Sequence, residues 1–69
     1  MQEVRQQMIH PRWALITKAR HFPTIPFPVE RFWLRRSAIR RARAYRASYA
    51  GTLFTYELHD TRTQERTPL

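Results

Sequence analysis

The chain has 69 residues, no cysteine, and 13 Lys plus Arg against five Asp plus Glu, a formal net charge of +8. A chain of that length holds at most one small domain, and the missing cysteines exclude the disulfides or thiolate metal sites on which chains of this size often depend. Nothing in it reaches the roughly 20 consecutive apolar residues that a membrane-spanning helix requires. The excess charge is carried by twelve arginines and a single lysine. Guanidinium presents a planar fork of donors that grips phosphate or carboxylate bidentately and stacks on flat rings, so polyanions and acidic partners are the classes it favours.

Residues 1–20 form a basic N-terminal arm in which Pro11 suits the first turn of a short helix over about 11–20, with Trp13, Leu15, Ile16 and Ala19 apolar. Ahead of it, Val4 and Met8 could share one side of a further helical turn. The arm is basic and poor in acids, as mitochondrial transit peptides are, but Glu3 and the lack of serine favour a docked arm over a targeting signal. Residues 21–27 contain Pro23 and Pro26, with Pro28 following, too closely spaced for a helix or a central strand. Phe22, Ile25 and Phe27 between them predict an extended, polyproline-like strap docked on protein. The PxxP at Pro23 to Pro26 would serve as an SH3 ligand only by leaving those three side chains in water.

A long basic helix is expected over about 28–50: Pro28 at its first position, Glu30 in its first turn, and Gly51 as a left-handed cap. At 1.5 Å per residue it would be roughly 34 Å long. Its segment 31–46 reads RFWLRRSAIRRARAYR, with Arg31, Arg35, Arg36, Arg40, Arg41, Arg43 and Arg46 distributed around the axis. One stripe stays apolar, Leu34, Ala38, Ala42, Tyr45 and Tyr49, at spacings of four, four, three and four. Seven like charges within about four turns repel one another, and an anionic partner would remove that cost. In contact with RNA the arginines would neutralise phosphates, and Trp33, Tyr45 and Tyr49 would stack on unpaired bases.

Residues 51–69 open with TLFTYEL, whose alternation sets Phe54, Tyr56 and Leu58 on one side and Leu53, Thr55 and Glu57 on the other. An edge strand pairing with a neighbouring subunit is the preferred reading, balanced against a short hairpin with residues 61–66. The whole is a mostly α, non-globular subunit with little core of its own, docking through Phe22, Ile25, Phe27, Leu34, Phe54, Tyr56 and Leu58.

Catalytic and cofactor chemistry finds no foothold. His10, His21 and His59 lack the paired spacing of a zinc helix, and His59 beside Asp60 points to the opposite face of a strand. Glu57 and Glu65 pair only if a fold is assumed, Gly51 stands alone, and Ser37 after two arginines reads as an ordinary helical serine. No cofactor, metal or small-molecule substrate is expected. The functional expectation is a structural, non-catalytic rRNA-binding subunit of a large ribonucleoprotein, a mitochondrial (organellar) ribosome, located on the matrix side or otherwise in the cytoplasm. The alternative is a peripheral accessory subunit of a mitochondrial respiratory complex, its arginines on acidic subunits and anionic lipid and Trp13, Phe22, Phe27 and Trp33 at the interface. A DNA-binding regulator is a weaker third, since residues 1–27 supply no supporting helical core.

Overall fold

The computed structural model describes residues 10–69 and, at residues 49 and 50, the backbone alone. In chain order the elements are β1 (Trp13–Ala19), β2 (Glu30–Phe32), α1 (Arg35–Ala47), a 3-10 turn (Tyr49–Thr52), β3 (Phe54–Asp60) and β4 (Glu65–Pro68). All four strands join one antiparallel sheet in the order β2-β1-β3-β4. With 21 of the described residues in four strands and 13 in a single α-helix, the expectation of a mostly helical, non-globular chain is overturned. The suggested turn around Val4 and Met8 lies outside the described residues.

The expected helix over 11–20 is strand β1. WALITKA contains aromatic and β-branched residues that pack well on a pleated surface, and alternation puts Trp13, Leu15, Thr17 and Ala19 on one face. They lie opposite Asp60, Leu58, Tyr56 and Phe54 of β3. That pairing joins residues more than 30 positions apart, so no local pattern announces it. β3 is accordingly an inner strand, flanked by β1 and β4, and not an edge awaiting another subunit. Phe54, Tyr56 and Leu58 do share a face, but that face meets the chain's own helix.

The helix is also shorter than 28–50. Glu30–Phe32 pair with β1, Leu34 is extended (φ −117°, ψ 137°), and helical geometry begins only at Arg35, where a run of strong helix formers starts. Trp33, Phe32 and β-branched Val29 are weaker helix formers, and for Phe32 a strand partner is at hand in β1. α1 lays Ala38 and Ala42 on the sheet, both buried. Their short side chains let the helix approach closely. Leu15, Ala42 and Tyr56 form the buried centre, with Phe32, Tyr45, Phe54 and Leu69 packed around it. This is a modest core, but it is the chain's own. The opposite sheet face carries Ile16, Lys18, Glu57, His59 and Arg66, and Glu57 there lies 3.9 Å from Lys18 and 3.6 Å from Arg66.

Three local devices hold the ends. The Asp60 carboxylate receives Arg12 Nε at 2.8 Å, the Arg12 terminal nitrogen at 2.7 Å and the Arg62 amide at 3.0 Å. Arg12 stacks over Trp13 at 4.8 Å, and its carbonyl accepts from the amide and hydroxyl of Thr61 at 3.0 and 2.6 Å. The hairpin between β3 and β4 turns through residues 61–64, ending on Gln64 at φ 66°, whose amide bonds the Asp60 carbonyl at 2.7 Å. Gly51 does not have the positive φ expected of a helix cap. Its role is close approach: a Cβ there would lie 2.8 Å from Arg46 C and Cα, at the helix's last turn.

The proline-containing segment is not one straight strap. It turns at residues 22–25, where the Ile25 amide bonds the Phe22 carbonyl at 3.2 Å. Phe27 then packs edge-on against Phe54, centroids 5.3 Å apart. Phe22 and Ile25 remain exposed.

Candidate nucleic-acid interface

α1 carries six arginines and no acid among its 13 residues. Because Ala38 and Ala42 face the sheet, a rotation of 100° per residue places Arg36, Arg40 and Arg43 on the opposite side, in a single outward stripe. Arg35 and Arg46 flank it on one side and Arg41 on the other. All six are exposed, as is Arg31. Arg31 stands apart, however. It lies on β2 opposite Ala14, on the sheet face turned away from the helix.

Two of the shallow grooves along the helix meet at the stripe. One is lined by Leu34, Arg35, Arg36, Ile39, Arg40 and Arg43, the other by Phe32, Ser37, Arg40, Arg41 and Ala44. Arg40 belongs to both. Among the described residues only Arg41 of the set meets a carboxylate, Glu30 at 3.3 Å, while Arg35 lies over Trp13 at 6.0 Å. Three of the described acids are engaged at the sheet, Glu30 under Tyr45, Glu57 between Lys18 and Arg66 and Asp60 under Arg12, while Glu65 is exposed on β4, away from the helix. Cationic and anionic groups are thus segregated, with one surface of the helix purely positive.

The aromatic candidates divide. Trp33 is 63% exposed and Leu34 51%, side by side where β2 passes into α1. Trp33 is therefore free to stack, whereas Leu34 lies outside the packed helix face predicted for it. Tyr45 turns inward; its hydroxyl donates to Glu30 at 2.8 Å, and its ring stacks on Tyr56 at 5.6 Å. Tyr49 belongs to the 3-10 turn, and its side chain is outside the described residues. Of the residues expected to dock on other subunits, Tyr56 and Leu58 are buried inside this chain, Phe54 and Phe27 pack on each other, and Phe22, Ile25 and Leu34 stay in solvent.

Two groupings escaped the sequence reading. Arg12 and Asp60 are 48 positions apart, and the only sequence cue is an acid at the end of a strand pattern. Arg12, through its hydrogen bonds and aided by the Arg62 amide, holds the Asp60 carboxyl well below the usual carboxylate range, against the opposing effect of burial. Glu30, expected in the first turn of the helix, sits on a strand and accepts from Tyr45 and Arg41 of the helix packed above. Burial pushes the Tyr56 phenol upward, with smaller contributions from Tyr45 and Glu30, so it stays neutral at ordinary pH.

No cluster of three His, Asp or Glu capable of holding a metal occurs among the described residues, and His59 is engaged with Gln64 at 3.1 Å. No described helix is long and apolar enough to cross a membrane. Comparison with protein-family models, curated proteins and solved structures gives no match.

Proposed function

We propose that this chain is a non-catalytic RNA-binding protein, a structural subunit of a ribonucleoprotein, which grips phosphates through the outer face of α1. The observation that carries the reading is the acid-free stripe of Arg36, Arg40 and Arg43, continued by Arg35, Arg41 and Arg46, on a helix whose other side is anchored to its own sheet. A helix fixed in this way sets the spacing of its arginines before RNA binds, so the ordering cost on binding falls on the side chains alone. The same charges repel each other in the free protein, and condensed-counterion release from RNA adds to the drive for association. Trp33 extends the surface with a ring able to stack on an unpaired base.

The expectation of a mitochondrial ribosome rested on a chain with no core, ordering only on assembly. Leu15, Ala42 and Tyr56 pack as a core, so the proposal draws on the arginine-rich face alone and is made for the ribonucleoprotein class. One observation favours the membrane-complex alternative: exposed Trp33 and Leu34 beside Arg35 and Arg36 would suit an anionic lipid surface.

Binding of the whole chain to a labelled single-stranded RNA, measured from 50 to 300 mM salt, tests the reading. Each phosphate neutralised on a single strand contributes about −0.7 to the slope of log K against log salt. Replacing Arg36, Arg40 and Arg43 with glutamine should flatten that slope by about 2 while leaving the thermal melt in place. An unchanged slope would remove the helix face from the interface. Binding to anionic vesicles with none to RNA would transfer the function to the alternative.

A further inference from the structure

Beneath the C-terminal half of α1 lies a second kind of surface, a cleft of about 350 Å³ lined by Thr17, Phe27, Pro28, Glu30, Tyr45, Phe54 and Tyr56. Its size is within the range of small-ligand sites. Thr17 and Tyr56 are register partners on the helix-facing side of the sheet and form its floor. Phe54 continues that floor along β3, Phe27 and Pro28 come from the segment entering β2, and Tyr45 descends from the helix. Four aromatic side chains thus line an open, largely apolar slot beside a single carboxylate, that of Glu30.

An aromatic slot with one carboxylate suits either an organic cation or a flat base bearing N–H donors. The cation is disfavoured here. Arg41 lies 3.3 Å from Glu30 and offsets its charge, and the chain as a whole is at +8, so its field repels a positive ligand. A neutral ring meets no such barrier.

We propose that this cleft receives one unstacked guanine base of a bound RNA strand, stacked on the aromatic side chains, with the Glu30 carboxylate accepting from the guanine N1–H and N2–H groups. The proposal rests on the RNA-binding reading above and adds base selectivity to it. A carboxylate offers about four acceptor positions over two oxygens. Tyr45 donates a single proton to the pair, at 2.9 and 2.8 Å, and Arg41 approaches Oε1 at 3.3 Å, which leaves acceptor capacity on both oxygens. Guanine alone among the four bases sets two adjacent N–H donors on its pairing edge. Adenine and cytosine place a ring acceptor beside their amino group, and uracil flanks its N–H with carbonyls, so each would bring an acceptor against the carboxylate.

The cleft is linked to the basic stripe through Arg41. Arg41, bonded to Glu30 at the cleft, lines the groove shared with Phe32, Ser37 and Arg40. Arg40 in turn lines the groove of Arg36 and Arg43. A strand whose guanine entered the cleft would carry its neighbouring phosphates past Arg41 onto that stripe.

The test uses the whole chain and four fluorescent RNA octamers, U8 and the same octamer with G, A or C at the fourth position. Fluorescence polarisation should show the guanine octamer binding about tenfold tighter than the other three. Glu30→Gln, which turns one acceptor into a donor, should bring the guanine octamer down to the level of the rest. Phe27→Ala, on a segment outside the sheet, should lower guanine affinity in the same way, and thermal melts of both variants distinguish lost recognition from lost folding. Equal affinity of the wild-type chain for all four octamers would overturn the guanine site while leaving RNA binding standing. Failure to bind any octamer would strike at the RNA reading itself. Guanosine monophosphate is titrated in parallel, with chemical shifts of Phe27, Tyr45 and Tyr56 as readout. Shifts confined to that cleft support the site directly, and saturation by the free nucleotide without guanine-selective octamer binding would overturn RNA as the source of the base.

Discussion

Leu15 is the side chain on which the independent fold depends most. It is 0% exposed in the second strand from the edge, opposite Leu58, and packed with Ala42 of the helix and Tyr56 of β3. Truncation to alanine removes three carbon atoms, a transfer loss of about 2 kcal/mol at roughly 0.8 kcal/mol per methylene. The cavity left between sheet and helix adds to it, since Ala42 offers no longer side chain to fill the space, and about 3 to 4 kcal/mol is expected in total. At 0.05–0.15 kcal/mol per residue a domain of this size has about 3 to 10 kcal/mol to lose. Leu15→Ala should therefore lower the melting temperature by roughly 15–30 °C, using 4–8 °C per kcal/mol for small domains, or leave the chain largely unfolded. Urea titration of the isolated protein, followed by circular dichroism, measures this. Leu53→Ala, at a side chain 43% exposed, serves as the control and should change stability by less than about 0.5 kcal/mol. Equal effects of the two substitutions, or a wild-type chain without a cooperative transition, would refute the assignment of a self-sufficient core centred on Leu15.

Two further outcomes follow from the ends of the sheet. Asp60 has its carboxyl pKa lowered by Arg12, so the folded state holds its negative charge to lower pH than the unfolded chain, where the value is about 3.9. The stability it contributes is complete above that value and is lost as pH falls below it toward the folded pKa. Chemical denaturation of wild type and Asp60→Asn should show a stability gap at pH 6 that narrows toward pH 2, and a gap independent of pH would mean the carboxylate charge is not what Arg12 recognises. Gly51→Ala should cost about 1 to 3 kcal/mol, because the added methyl meets the backbone of Arg46 instead of a side chain able to move aside. A melting temperature equal to wild type would show that the turn after α1 can shift freely.

The basic surface was legible in the sequence because it is a local property. Arginines at positions 35, 36, 40, 41, 43 and 46 among alanines make a helix by propensity, and no acid lies within that run to cancel them, whatever they pack against. The alternation of Phe54, Tyr56 and Leu58 was equally readable, since a period of two along a strand requires no partner to be seen. What the alternation meets was decided only in three dimensions. WALITKA satisfies weak helical and strand patterns alike, and it becomes a strand because β3 offers seven register partners, Phe54 to Asp60. Glu30 and Phe32 leave the helix for the same reason: a β1 edge is available to pair their backbone.

The candidate groupings divide along the same line. Arg36, Arg40 and Arg43 share a face by helical periodicity alone, so sequence spacing brings them together. Arg12 with Asp60, and Glu30 with Tyr45, Phe27 and Phe54, come together through pairings of strands distant in the chain. A sequence records charge and periodicity at each position. Contacts between remote segments depend on which of several weak local preferences the burial of Leu15, Ala42 and Tyr56 makes mutually consistent, and only the folded chain resolves that choice.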